Sequence, residues 1–302
     1  MNGSRAFAMA SVPAAAGLAW QQYRRAVRAV DAYPALAPDL PGVRHQIPTA
    51  WGSVTYRLVA GDPHRPPLVL VHGWGKTGDS AWWPVIAAGE RTMLIVDLPG
   101  HGYSHLQEPF TFALGAEAVE RAMSDARLHR PVLVGHSMGG PVALTVLRRR
   151  GPDGFSSLVA LASSAYWVRP RLRVMMALAP YLMAPRSPFL IRTERAELRQ
   201  IPQLADHIAW AYTRRPARSL LDETAHALRR FDARSWTDLS LPPTTWVVAT
   251  EDGVLRPEHQ LASARYFDVP VVEVAAQHSM VVQSPDAVLE ILERVDVPPL
   301  VA

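Results

Sequence analysis

Residues 135–140 read Gly-His-Ser-Met-Gly-Gly, a G-x-S-x-G pattern centred on Ser137. The chemistry this spacing serves is nucleophilic attack by a hydroxyl group. A reactive Ser must project from a tight turn between a strand and a helix. Small residues two before and two after it let strand and helix pass closely. The helix that follows aims free N–H groups at developing negative charge. Here the apolar run Val132-Leu133-Val134 precedes the pattern and a helical periodicity follows it, so the setting is that of a nucleophile rather than of a Ser buried in a glycine turn.

Such a Ser needs a base, and the base needs an orienting acid. The chain has 11 histidines. His136 adjoins Ser137 at the variable position of the turn, and its side chain is not expected to reach the hydroxyl productively. His72 and His101 sit in glycine turns upstream, where a structural role is expected of the His72 side chain. His278 follows the apolar run at 271–274 and precedes the last helical pattern. That places it at the C-terminal edge of a sheet, where sites in open parallel sheets form. The turn after the run at 245–249 offers two acids, Glu251 and Asp252. Asp252, directly before Gly253, is favoured, with Glu251 as competitor. The chain order is then Ser137, Asp252, His278. An oxyanion needs two backbone donors. Met138, next after the Ser, supplies one. Trp74 in His72-Gly73-Trp74-Gly75 is placed to supply the other. No cofactor or metal is expected, and the absence of cysteine excludes disulfides, Cys nucleophiles and thiolate metal sites.

The elements that must position these groups are legible as an alternation. Short apolar runs at 67–72, 93–97, 132–135, 158–162, 245–249 and 271–274 read as strands, as does 54–60 before the turn Gly61-Asp62-Pro63. Helical patterns cover 113–128 and 139–150. The second ends on Arg148-Arg149-Arg150 and Gly151, a cationic last turn and a natural stop. Ser284-Pro285-Asp286 opens a final helix with a cap residue, a proline and an acid. Strands alternating with helices predict an α/β protein with a mostly parallel sheet.

Residues 1–50 read as an N-terminal helix and a lead-in. Residues 6–20, after Arg5, are the one stretch with leader-like character, and a helix running on to residue 30 is the preferred reading, with a cytoplasmic protein expected. The four prolines between 34 and 48 predict an extended linker. Residues 51–165 and 241–302 form the core. Residues 166–240 interrupt the rhythm with helical periodicity only, and carry 13 Arg against seven acids, an excess of +6 over a chain total of +4. This segment is expected to be a cap. Its arginine heads would stay wet while residues 174–178 and 181–183 face inward over Ser137. A membrane-surface contact at 172–191 is the less favoured alternative.

Composition narrows the classes further. The 302 residues are 49% hydrophobic and 19% charged, too apolar for a disordered chain. Of 31 basic residues 30 are Arg, Lys76 being the only lysine, and they do not form the dense stripes of a nucleic-acid binder. No nucleic-acid partner is expected, and no apolar run is long enough to span a membrane.

Taken together, residues 51–291 resemble the α/β-hydrolase fold superfamily. The resemblance rests on HGWG at 72–75, DLPGHGYS at 97–104, GHSMGG at 135–140, TTWVVATEDG at 244–253 and QHS at 277–279. It implies an eight-stranded, mostly parallel sheet flanked by helices, a helical cap after the sixth strand, and a cofactor-free Ser-His-Asp mechanism. Residues 97–104 match a turn of structural value in that family, so His101 and Ser104 receive no catalytic role. Ser137 at the elbow disfavours the branches with an Asp nucleophile, the haloalkane dehalogenases and epoxide hydrolases. Pro257 follows Asp252 by five residues where the family often has four, so the acid loop departs from the pattern. The expected function is hydrolysis of small carboxylic esters with an apolar acyl chain, in the manner of an esterase or lipase. A carbon–carbon hydrolase of a ring-cleavage dienoate, a thioesterase or lactonase, and a non-catalytic binding protein share parts of the pattern.

Overall fold

The computed structural model of the protein describes residues 3–295, with side chains described from residue 16 onward. The strands are β1 (Val43–Thr49), β2 (Gly52–Val59), β3 (Leu68–Val71), β4 (Met93–Asp97), β5 (His105–Leu106), β6 (Val132–His136), β7 (Ser157–Leu161), β8 (Thr244–Ala249) and β9 (Val271–Val274). The helices are α1 (Gly3–Asp31), α2 (Gly78–Ala88), α3 (Phe112–Asp125), α4 (Gly139–Arg150), α5 (Pro170–Leu182), α6 (Pro188–Gln200), α7 (Ala205–Thr213), α8 (Arg218–Arg230), α9 (Pro257–Phe267), α10 (Met280–Gln283) and α11 (Pro285–Arg294).

The strands form one sheet in the order β1-β2-β4-β3-β6-β7-β8-β9, with the short β5 paired to β2. Pairing is antiparallel among β1, β2 and β4 and parallel from β4 through β3 to β9. This is the α/β architecture the alternation predicts, an eight-strand path with one extra two-residue strand at its edge.

Strands β3, β4, β6 and β7 are buried at every position because helices cover both faces. Alternate residues supply two cores. Val69, Val71, Leu94, Val96 and Leu133 pack with Val119 of α3 and Val142 of α4. Leu70, Ile95, Val134, Val159 and Val247 pack on the other face with Trp82 and Ile86 of α2 and Leu292 of α11. Strand β9 departs from this pattern. Its residues are mostly exposed, since it lies at the sheet edge.

Local signals account for some of the element ends. Thr77 and Ser80 form a reciprocal capping box at α2. Helix α4 stops at Gly151, whose φ of +74° suits glycine and whose N–H donates to the Leu147 carbonyl, 2.8 Å. Ser284 takes the cap position of α11, but its side chain makes no capping bond. Its N–H instead donates to the Met280 carbonyl and joins α10 to α11.

Two expectations need correction. Part of the predicted linker is strand. Residues 43–49 pair along their whole length with β2, because Ala50 and Trp51 make a tight turn and Trp51 drops into the core. Helix α5 does not turn its whole apolar run inward. Leu172 and Met176 are buried, whereas Val174 and Leu178 are 60% and 53% exposed, as helical spacing requires of residues two positions apart.

By internal contacts the chain divides into two compact units. The smaller combines α1 and the chain to Ala37 with Tyr181–Thr213. Within it α1 packs on α6 and α6 on α7. Tyr23 Oη donates to the Arg186 carbonyl, and Arg186 pairs with Asp31 at 2.7 Å. Helix α1 covers residues 6–30, and side chains up to Ala15 lie outside those described. No helix among the described residues is long and apolar enough to cross a membrane. The larger unit, Pro38–Pro180 with the chain from Arg214 onward, holds the sheet and all candidate site residues.

Leu70 has no exposed surface. Leu70→Ala should therefore lower unfolding free energy by about 2–5 kcal/mol, while Val174→Ala should stay within about 0.5 kcal/mol. Urea unfolding midpoints at constant slope would measure both.

Candidate active site

The chain runs from β3 to β4 on one side, then crosses to β6 on the other side of β3. Strand order reverses there, which opens a crevice beyond the C-terminal ends of β3 and β6. His72–Gly75 follow β3, Ser137 follows β6, Asp252 follows β8 and His278 follows β9. Four separate strand ends thus deliver the predicted site residues to one edge.

Ser137 is 3% exposed and has a left-handed backbone, φ +52°. A non-glycine residue there carries strain. Its N–H donates to the Leu161 carbonyl at 2.9 Å, and its own carbonyl accepts from Ser163 Oγ at 2.8 Å and Gly140 N–H at 3.0 Å. The flanking glycines are needed for close approach. A Cβ on Gly135 would lie 2.5 Å from the Gly139 carbonyl oxygen, and one on Gly139 would strike the Val71 carbonyl.

Ser137 Oγ lies 2.9 Å from His278 Nε2, and His278 Nδ1 lies 2.6 Å from Asp252 Oδ2. Asp252 is buried and accepts throughout. Val254 and Leu255 N–H groups donate to Oδ1, each at 2.8 Å, and Gln260 Nε2 donates to Oδ2 at 2.9 Å. A carboxylate so placed accepts a hydrogen bond from Nδ1–H of His278 and so keeps the proton on Nδ1, which leaves Nε2 as acceptor for the Ser137 hydroxyl. Glu251 is exposed and only its backbone N–H is engaged, with the Ala276 carbonyl. The backbone N–H groups of Trp74 and Met138 have no protein acceptor among the described residues. The Trp74 indole is anchored by Nε1–H donating to the Leu221 carbonyl at the start of α8, 3.1 Å.

Three other histidines, His72, His101 and His136, are buried. His72 Nδ1–H donates to the Gly73 carbonyl and its Nε2 accepts from Leu98 N–H. His101 donates to the Pro99 carbonyl and lies 4.9 Å from His72, centroid to centroid. His136 does not reach the Ser137 hydroxyl, as expected, but it is not a bystander. Its Nε2–H donates to the backbone carbonyl of His278 at 2.9 Å. Burial holds all three below the ordinary histidine range, His101 at about 4 and His136 at about 3. His136, whose ring centroid lies 5.4 Å from that of His278, is thereby kept neutral. Ser104 Oγ donates to the Asp97 carbonyl and accepts from Thr55 N–H, a structural bond as anticipated.

Two residues escaped sequence reasoning. Gln260, fully buried, binds Asp252 Oδ2 and the Leu255 carbonyl through Nε2 and takes Ala249 N–H on Oε1. It lies eight positions after Asp252, inside α9, where no local pattern marks it. The His136 contact depends on where residues 277–279 return, and neighbouring sequence carries no sign of that. Among the described residues, no group of three or more His, Cys, Asp or Glu could hold a metal ion.

Comparison with known proteins agrees with this fold. Residues 68–291 match the model of the alpha/beta hydrolase family. The chain is 32% identical over 215 residues to a pimeloyl-[acyl-carrier protein] methyl ester esterase of Neisseria meningitidis, covering 63% of this chain and 77% of that protein. A Vibrio vulnificus protein of the same name is 38% identical over 102 residues, 33% of this chain and 37% of that protein. The chain thus spans about a third of the length of some of the curated relatives it matches. The enol-lactonase of Burkholderia xenovorans superposes with a TM-score of 0.68 at 19% identity, over 83% of this chain and 99% of that one, a likeness of fold. The chain belongs to the alpha/beta hydrolase family.

The buried histidines set an expectation for acid stability. Their folded-state affinity for protons is depressed, so they contribute stability above about pH 6.5 that is lost as pH falls toward the folded values. Each adds a slope of about 1.4 kcal/mol per pH unit in that window. His136→Gln keeps a donor for the His278 carbonyl and removes one titrating group. Its stability should therefore fall less steeply between pH 6.5 and 4 than that of the wild type. Urea unfolding across this range measures the slopes, and identical slopes would contradict the neutral His136.

Proposed function

We propose that the protein is a serine hydrolase of carboxylic esters, of the esterase or lipase type, working through an acyl-enzyme on Ser137. The observation that carries this reading is the continuous relay from Ser137 Oγ to His278 at 2.9 Å and on to Asp252 at 2.6 Å. The esterase names of the relatives lend support to ester chemistry.

In this reading Ser137 Oγ attacks the carbonyl carbon of the ester while His278 Nε2 takes its proton. Asp252 holds the imidazole orientation and stabilises the imidazolium. The negative charge that grows on the carbonyl oxygen meets the N–H groups of Trp74 and Met138. Losing one such donor typically lowers kcat by about 10²–10³. His278 then gives its proton to the departing alcohol. Water enters, loses a proton to Nε2 and attacks the acyl carbon, and collapse releases the acid and restores Ser137. His136 acts through His278, since its bond to the His278 carbonyl limits the swing of the loop that carries the base.

The parts of the 166–240 segment that belong to the larger unit, residues 166–180 and 214–240, serve as a cap over the core at 51–165 and 241–302, with Leu172 and Met176 as inward apolar positions in α5. The substrate is a small ester with an apolar acyl chain. Each added methylene that enters an apolar pocket is worth about 1–3 kcal/mol until the pocket is full.

A fluorophosphonate probe followed by peptide mass analysis should label Ser137 in the wild type and nothing in Ser137→Ala, which should retain the fold and lose ester turnover. More than a few per cent residual turnover in a pure sample of that variant would refute the mechanism. Asp252→Asn should lower kcat by orders of magnitude, and Glu251→Gln should leave it nearly unchanged. Across p-nitrophenyl esters, kcat/KM should rise from acetate to medium chains, and Met176→Trp should depress the longer esters more than acetate. A flat profile in the wild type would count against an apolar acyl site.

A further inference from the structure

The ester chemistry makes no use of the arginine excess in residues 166–240, yet part of that excess converges on one feature. An open groove of about 640 Å³ lies between residues 169–175, at the start of α5, and residues 253–259, the acid loop with the first turn of α9. Both walls belong to the larger compact unit. Three guanidinium groups line it, those of Arg169, Arg171 and Arg256, against the single carboxylate of Glu258.

Arg169 is fixed in place. Its Nη1 donates to His259 Nδ1 at 3.0 Å and its Nη2 to Tyr166 Oη at 2.7 Å. With Nδ1 accepting, His259 carries its proton on Nε2. Burial and the neighbouring charge of Arg169 push its affinity for a second proton down, so it lines the groove as a neutral donor. The guanidinium groups of Arg171 and Arg256 make no hydrogen bond or ion pair among the described residues. Elsewhere on the chain arginines commonly pair with carboxylates, as Arg57 does with Asp79 and Arg149 with Glu120. Helix α9 opens at the same place with no side-chain cap, its cap position being Arg256 itself. Leu172, Met175 and Val254 give the groove an apolar side.

We propose that this groove is a binding site for an oxyanion, a phosphate or carboxylate group, carried on an apolar chain. Two guanidinium forks with no partner among the described residues, beside a third that is already oriented, supply the donors that such a group takes. Bringing an anion among them relieves the mutual repulsion of three like charges that one carboxylate leaves unbalanced. The apolar wall fits the chain that bears the anion. The site also touches the proposed chemistry. Val254, which lines the groove, donates its N–H to Asp252 Oδ1 at 2.8 Å, so an occupant lies against the loop that holds the acid.

The test is calorimetric titration of the full chain with inorganic phosphate at low ionic strength. One saturable site is expected, weakened at least tenfold in Arg171→Gln/Arg256→Gln. A control, Arg127→Gln/Arg150→Gln, removes the same charge from a different cavity and should change affinity less than twofold. Absence of saturable binding in the wild type, or equal weakening in both double variants, overturns the proposal. Binding is read without turnover, so the result stands apart from the fate of the esterase reading. A second arm locates the source of the anion. If it is the far end of the substrate, phosphate raises KM for an ester ending in a carboxylate and spares a neutral ester of equal length. If it belongs to a separate effector, phosphate alters turnover of both.

Discussion

A single backbone conformation organises the rest of the molecule. Ser137 sits at φ +52°, between a strand and a helix that pass so closely that Gly135 and Gly139 leave no room for a Cβ. A left-handed non-glycine residue costs roughly 1–3 kcal/mol. Three hydrogen bonds offset that cost, from Ser137 N–H to Leu161 and from Ser163 and Gly140 to the Ser137 carbonyl. Two of those partners lie on β7 or just after it, so the strain at the turn is held by the neighbouring strand and not by the turn alone. The parallel pairing of β6 with β7 is what delivers them.

The same logic extends outward from His278. Its ring is held by Asp252, and its backbone carbonyl is held by His136. Asp252 in turn is clamped by two backbone N–H groups and by Gln260, an amide whose other bonds reach Ala249 and Leu255. Bonds from the acid loop itself and from α9 and β6 converge on Asp252 and His278, which fixes their geometry more firmly than any one pair could. The price of the arrangement is dependence on neutral imidazoles, because a proton on buried His136 would set a second positive charge beside the base.

Arginine usage is the compositional peculiarity of this chain, and its members fall into distinct roles. Arg57 is nearly buried and paired with Asp79, with Nη1 also reaching carbonyls at 40–42 to tie the lead-in to β2. Arg186 joins Asp31 inside the smaller compact unit. Arg171 and Arg256, at the edge of a groove, have no hydrogen bond or ion pair among the described residues. A guanidinium charge is permanent, so what separates these roles is the presence or absence of a carboxylate within reach.

Sequence alone determined the alternating core, the glycine-flanked elbow and a chain order in which Ser137 precedes an acid at 251 or 252 and then His278, because each is written in local pattern: buried strands as short apolar runs, the elbow as glycines at fixed offsets, the acid in a turn after a buried strand. It missed strand β1, whose proline and polar residues read as linker until Trp51 found the core. It also treated the apolar run of α5 as one surface, although helical geometry splits it into buried Met176 and exposed Val174 and Leu178. Tertiary structure alone decided which of Glu251 and Asp252 meets His278, that Gln260 supports the acid, and that His136 grips the His278 backbone. Those contacts join residues 8 to 142 positions apart in the chain. Only the packing of the sheet and its helices sets the distance between such residues, and no local periodicity records it.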